Sequence, residues 1–206
     1  MSYRWEFARA MLRQGVVGIV RTATAESAVA GARTLLDAGL HSVEVTLTNS
    51  GALQAIERLV AEYPEATIGA GTVLDEASAV AAIRAGARFL VSPNLNPAVI
   101  RAANRYGAAS LPAAGSVTEI VNALEAGADA VKLFPASAFT PRWVSDVRAA
   151  LPQVPLVPTG GIGAEDVPVW LAAGAVACGI GASLLKGTDA EIRARISGLL
   201  QGADSD

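Results

Sequence analysis

The chain has 206 residues, 52% of them hydrophobic and 17% charged, with a formal net charge of −3. Such a content excludes a disordered chain, and without a basic cluster no nucleic-acid partner is expected. Charge, glycine or proline interrupts every apolar stretch before the ~20 residues of a membrane span, so no membrane partner is expected either.

The length suits one domain with a substantial core. The N-terminal MSYRWEFARAMLRQ carries Glu6 among its arginines and lacks the apolar region of a secretory signal. It reads as a short amphipathic helix. Strands are predicted at 16–20, 43–47, 67–71, 88–91, 108–111, 129–133, 154–158 and 176–180. Helical patterns lie between them, for example at 25–38, 52–62 and 76–85. The phrase "helix end, Ala-Gly, short polar step, apolar strand" recurs at Gly39, Gly86, Gly127 and Gly174, spaced 47, 41 and 47 residues apart. Each glycine stands where a helix C-terminus needs positive φ. An eightfold barrel of ~200 residues needs about 25 residues per βα unit, so the phrase marks every second unit. The predicted fold is α/β, a small (β/α)8 TIM barrel with an extra N-terminal helix. It is expected to occupy residues 1–200 as one domain, with 201–206 as a disordered tail. An open doubly wound sheet is the alternative, but its G-x-G-x-x-G fingerprint is absent after the first strand. Gly69-Ala70-Gly71 is only a partial match.

Side chains alternate along a strand. Val43, Val45 and Leu47 share the face that meets the helices, which turns Glu44 and Thr46 into the barrel. The same parity puts Val131 and Leu133 outside and Lys132 inside. Only two lysines occur in the chain. Burial disfavours the ammonium form of a lysine, and a neutral amine attacks carbonyl carbon. With a carboxylate beside it, Lys132 has both nucleophile and proton shuttle for Schiff-base chemistry. A strand-end lysine reaching water, or an internal ion pair that satisfies itself, is the structural alternative. The other lysine, Lys186, reads as a solvated residue beside Gly187.

Other strands end in Arg21, Thr72, Ser92-Pro93-Asn94 and Pro112, at the end where barrel sites are built. Thr22 or Thr24 and Asp75 fit helix caps. The seventh strand runs into Thr159-Gly160-Gly161-Ile162-Gly163 and a helical AEDVPVWLAAG; the eighth ends in Gly179-Ile180-Gly181-Ala182-Ser183. Glycine lets backbone N–H groups approach an anion, and a helix N-terminus adds partial positive charge. Loops after strands seven and eight are the usual phosphate site of such barrels. One cysteine, Cys178, excludes an intramolecular disulfide and fits a reducing cytoplasm. One Cys and one His make a zinc site unexpected, and no metal or cofactor is expected.

The segments Val43-Glu44-Val45-Thr46-Leu47, Gly69-Ala70-Gly71-Thr72-Val73, Ser92-Pro93-Asn94, Val131-Lys132-Leu133-Phe134-Pro135-Ala136 and Thr159-Gly160-Gly161-Ile162 occur in order. Together they resemble the class I 2-keto-3-deoxy-6-phosphogluconate (KDPG) aldolase family. That family also holds 4-hydroxy-2-oxoglutarate (KHG) aldolases and 6-phosphogalactonate (KDPGal) aldolases. The resemblance implies Lys132 as the Schiff-base lysine and Glu44 as the proton-transferring glutamate. It implies Thr72 near the pyruvate carboxylate, with Pro93 and Phe134 also contacting substrate. Gly160, Gly161, Gly181 and Ser183 fall where the family holds phosphate, and Thr159 falls at a position tied to stereochemical preference. Threonine there looks like the KDPG enzymes. Thr48 replaces an arginine that typically grips the carboxylate, and Asn49-Ser50 and Ser137-Ala138-Phe139 look like the galactonate branch. Arg21 resembles an arginine of that branch. Pro112-Ala113 stands where the family usually has Pro-Gly.

The implied activity is cleavage of a phosphorylated 2-keto-3-deoxy sugar acid, KDPG first, to pyruvate and glyceraldehyde 3-phosphate, by a cytoplasmic homotrimer without cofactor. KDPGal or KHG cleavage is the alternative. A sugar-phosphate isomerase or epimerase, or a non-catalytic sugar-acid phosphate sensor, fits the same barrel.

Overall fold

The computed structural model describes residues 3–203. Helix α1 (Arg4–Leu12) precedes the first strand. Strands β1 (Val16–Val20), β2 (Ser42–Thr46), β3 (Thr67–Gly71), β4 (Phe89–Val91) and β5 (Ala109–Leu111) then alternate with α2 (Ala25–Asp37), α3 (Ala52–Glu62), α4 (Glu76–Arg84) and α5 (Pro97–Tyr106). After β6 (Ala113–Ala114) come α6 (Val117–Glu125), β7 (Val131–Leu133), α7 (Pro141–Ala150), β8 (Leu156–Pro158), α8 (Val167–Ala172), β9 (Cys178–Ile180) and α9 (Asp189–Ala203).

All pairing is parallel, in two arcs ordered β5-β4-β3-β2-β1-β9 and β6-β7-β8. Two seams join the arcs. The predicted fifth strand is β5; Pro112, which has no N–H to donate, ends it, and the short β6 follows beyond the predicted end. Around Pro112, Ala130 N–H donates to the Ser110 carbonyl (3.3 Å) and Lys132 N–H to the Pro112 carbonyl (2.9 Å). Between β8 and β9, Thr159 bridges Gly179 and Val176 N–H donates to the Leu156 carbonyl (3.0 Å). The sixth to eighth predicted strands are therefore β7 to β9. Each starts two residues later than predicted; for β8 the cause is Pro155, which cannot donate to the ladder.

The connections use the chemistry the sequence offers. Thr24, Asp75, Asn96, Ser116 and Thr140 each accept a backbone N–H at a helix start, a cap that contributes about 1 kcal/mol. Gly39, Gly86, Gly127 and Gly174 close helices at φ 103°, 99°, 91° and 99°. These are conformations that an L side chain resists.

Strand parity divides the core in two. Val43, Val45, Val131, Leu133 and Leu156 pack outward with Leu35, Ile56, Ile120 and Val144 of the helices. Val17, Phe89, Val91, Leu111, Ala130 and Val157 fill the barrel and meet Met11, with Phe7 and Leu12 packed against them. Helix α1 thus stoppers the N-terminal end. It is held by the Arg4–Asp129 ion pair (3.3 Å) and by Arg88 over the Phe7 ring (5.2 Å). At the other end of the chain α9 continues to Ala203, into the expected tail, and residues 204–206 lie outside those described. None of the described helices is long and apolar enough to cross a membrane.

Candidate active site

The interior narrows to a polar layer above the apolar plug. Glu44, central in β2, is 3% exposed, and Lys132, central in β7, is 5% exposed. Register places Ile19 on one side of Glu44 and Gly69 on the other. Glycines make this layer possible. A Cβ on Gly71 would lie 1.6 Å from Glu44 Oε1, and one on Gly69 would lie 2.4 Å from the Phe89 ring. A Cβ on Gly179 would lie 2.4 Å from Thr159 Oγ1. Three strand positions are thus left empty so that a carboxylate, a ring and a hydroxyl fit.

Burial pushes the Lys132 ammonium towards its neutral form; Arg21 adds to that and Glu44 opposes it. Burial also pushes Glu44 towards its protonated form, against the pull of Lys132 and Arg21. The two side chains influence each other without forming an ion pair, and neither makes a hydrogen bond among the described residues. A self-satisfying internal salt bridge is therefore not what β2 and β7 build. Lys132 Nζ lies 4.7 Å from the Phe134 ring centroid, a face that tolerates the cation. The pair sets an amine biased towards its nucleophilic form in the same interior as a carboxyl biased towards its protonated form, the two groups carbonyl condensation draws on.

A cavity of about 830 Å3 opens above the lysine. Among the residues named from sequence, Arg21, Lys132, Phe134, Thr159, Gly160, Gly161, Gly181 and Ser183 line it. Glu44, Thr72 and Pro93 do not. Glu44 is coupled to the cavity through Lys132. Thr72 follows β3 in a left-handed conformation, φ 57°, unusual for a β-branched residue. It is kept there by buried Val73, whose N–H donates to the Val91 carbonyl (3.1 Å). Such backbone strain concentrates at functional positions. Pro93 sits half-buried in the loop after β4.

At the far end, Gly160 and Gly161 turn at φ 91° and 80°. The helix expected to start directly after this loop begins late. A 3₁₀ turn, Ala164–Asp166, comes first, and Asp166 accepts the Gly163 N–H (2.7 Å). The partial positive charge of α8 is displaced accordingly. After β9 the chain makes turns instead, with Leu184 N–H donating to the Gly181 carbonyl (3.0 Å). Ile19, Glu165 and Asp166 also line the cavity. Sequence reasoning missed all three. Parity would have turned Ile19 inward with Val17, but nothing local marks two loop carboxylates. Thr24 and Asp75 are helix caps as expected, whereas Thr22 donates to the Thr24 carbonyl (3.2 Å). Lys186 is exposed, next to Gly187 at φ 95°.

Thr48 shares a hydrogen bond with buried Thr46 (2.9 Å between hydroxyl oxygens). Arg21 and Lys132 are the only cationic side chains lining the cavity among the described residues.

A protein-family model described as "KDPG and KHG aldolase" matches residues 8–197. The chain is 37% identical over 173 residues to the 2-dehydro-3-deoxy-6-phosphogalactonate aldolase of Escherichia coli (strain K12), covering 83% of this chain and 84% of that one. It is also 37% identical over 172 residues to the 2-dehydro-3-deoxy-phosphogluconate aldolase of Treponema pallidum (strain Nichols), covering 82% of each. Among solved structures it resembles the KDPG aldolase of Legionella pneumophila, in which pyruvate was captured as a covalent carbinolamine. The TM-score is 0.81 at 27% identity, covering 96% of this chain and 97% of the other. The chain belongs to the KDPG and KHG aldolase family, and it is a class I aldol-cleaving lyase.

Proposed function

We propose that this family member cleaves 2-keto-3-deoxy-6-phosphogalactonate to pyruvate and glyceraldehyde 3-phosphate, with Lys132 as nucleophile and Glu44 as proton carrier. The galactonate epimer takes the place of KDPG as the leading substrate. The observation that carries this choice is Arg21 in the cavity with Lys132, combined with a neutral Thr48 turned onto Thr46. The carboxylate-binding cation then comes from the first strand's end instead of the second's.

The neutral Lys132 amine attacks C2 of the keto acid and forms a carbinolamine. Protonated Glu44 supplies the proton with which its hydroxyl leaves as water, giving an iminium. Glu44, now a carboxylate, accepts the C4 hydroxyl proton. The C3–C4 bond breaks, its electron pair flows into the iminium, and glyceraldehyde 3-phosphate departs. The resulting enamine is protonated at C3, and hydrolysis frees pyruvate and Lys132. Arg21 holds the carboxylate by a charge-assisted pair; Thr72 and Pro93 complete that end and Phe134 packs over the reacting carbons. Gly160, Gly161, Gly181 and Ser183 receive the phosphate through backbone N–H groups and a hydroxyl. Electron withdrawal comes from the iminium, so this reading uses no cofactor. A homotrimer accompanies it, in line with the exposed Leu74, Tyr106 and Val117.

The gluconate epimer is favoured by one observation, Thr159. It is 4% exposed, lines the cavity and donates its hydroxyl to the Val157 carbonyl (3.2 Å). The ratio of kcat/KM for the two 6-phosphates and for 4-hydroxy-2-oxoglutarate decides. The proposal expects the galactonate to lead; a larger value for the gluconate or for the unphosphorylated acid overturns it.

A further inference from the structure

The chain on both sides of Arg21 is gripped by the end of β2 and the loop after it. Thr46 Oγ1 donates to the Val20 carbonyl (3.4 Å), and Asn49 Nδ2 donates to the Thr22 carbonyl (2.8 Å). The carbonyls flanking Arg21 are thus both bound by side chains from the end of the neighbouring strand. Asn49 is itself fixed, because its Oδ1 accepts the Gly51 N–H (2.9 Å). Thr46 is fixed by burial, at 1% exposure, and by Thr48. The guanidinium of Arg21 has no hydrogen bond or ion pair of its own among the described residues. An arginine stem carries much rotamer entropy, so a held backbone at its base narrows the space its guanidinium explores in the cavity it lines with Lys132.

We propose that Asn49 is a positioning residue that fixes the Arg21 backbone, so that Arg21 meets the substrate carboxylate beside Lys132. Thr46 and Thr48 assist it. The group that recognises the carboxylate then stands just after β1, and the end of β2 with the loop that follows clamps its backbone. This rests on the reading of Arg21 given above.

The test is a double-mutant cycle on the full chain with 2-keto-3-deoxy-6-phosphogalactonate. Arg21→Ala is expected to raise KM by about 10- to 100-fold, the loss of a charge-assisted contact. Asn49→Ala is expected to raise KM by about threefold to tenfold, the size of one hydrogen bond, with kcat within about twofold. In the Arg21→Ala background, Asn49→Ala is expected to change KM no further. Arg21 disfavours the ammonium form of Lys132, while Glu44 favours it. Both single variants should therefore move the acid limb of kcat/KM to higher pH, Asn49→Ala by less. Asn49→Asp keeps an acceptor for the Gly51 N–H and loses the donor. It serves as the second variant, with the same expected rise in KM, should the alanine lower solubility or Tm. Equal KM effects of Asn49→Ala in both backgrounds, as a purely structural role gives, overturn the inference alone. An unchanged KM in Arg21→Ala overturns the reading of Arg21 beneath it.

Discussion

Gly71→Ala tests whether the barrel leaves space specifically for the Glu44 carboxylate. Gly71 lies in β3 opposite Thr46 and is not one of the positive-φ glycines, so alanine suits its backbone. Its new Cβ, however, would sit 1.6 Å from Glu44 Oε1 and 2.3 Å from Cδ. Merely to reach 3.0 Å, the carboxylate oxygen must retreat by about 1.4 Å, in a side chain only 3% exposed. A misplacement of about 1 Å costs a catalytic group on the order of 100-fold, equivalent to about 2.7 kcal/mol in the barrier. Overpacking costs about 1–3 kcal/mol of stability. Restricting the unfolded chain offsets about 0.4–1 kcal/mol of that. A Tm drop of only a few degrees, about 2–4 °C per kcal/mol, follows for a domain of this size. The assay is steady-state cleavage with pyruvate detected by a coupled dehydrogenase, beside a thermal melt. Gly69→Ala is the control: on the same strand and face, its Cβ meets the Phe89 ring first, at 2.4 Å, where the Gly71 Cβ meets the carboxylate. It should lose stability and keep kcat. If Gly71→Ala keeps kcat within about threefold of the parent, or if Gly69→Ala loses as much, the spatial argument is wrong.

Other outcomes follow from burial of the polar layer. The Lys132→Met/Glu44→Gln double variant should be inactive and, near neutral pH, more stable than the parent by about 1–4 kcal/mol, because a desolvated pair is removed. The signs are set by the two shifts. With its folded pKa lowered, Lys132 costs stability below that pKa, and the cost fades as pH rises towards 10.5. With its folded pKa raised, Glu44 costs nothing below 4.5, and its cost grows as pH rises through the folded pKa. The variant's gain, from denaturant midpoints across pH, should therefore be largest between those limits; a gain independent of pH contradicts this account. Cys178 is fully buried and its thiol is pushed up to about 12. A disulfide-exchange reagent at pH 8 should detect no thiol in the native protein and one after denaturation, and rapid native labelling refutes that burial.

Much of this was legible because two physical regularities are written residue by residue. Alternation along Val43-Glu44-Val45 and Val131-Lys132-Leu133 is a property of each strand alone, so it turned Glu44 and Lys132 inward without knowledge of the neighbours. The glycines at 39, 86, 127 and 174 likewise announce a backbone angle that only they take cheaply. What stayed hidden depends on register between strands. Gly71 faces the Glu44 carboxylate only because β2 and β3 align Thr46 with Gly71. The bond from Asn49 to Thr22 spans a loop pair that no local pattern connects. Thr72 runs against propensity, since β-branched residues avoid φ 57°. The late start of α8 reflects the 3₁₀ turn after Gly163, where Asp166 takes the N–H that a helix-first loop would have left for an anion.

The central claim is that Lys132 forms the covalent bond to substrate. Pyruvate and borohydride, added together, reduce any imine to a stable secondary amine, and peptide mapping then locates it. The account predicts one pyruvate-derived adduct per chain, on the peptide containing Lys132, with none in Lys132→Met. An adduct on Lys186, or no adduct while the protein still cleaves its keto acid, contradicts it.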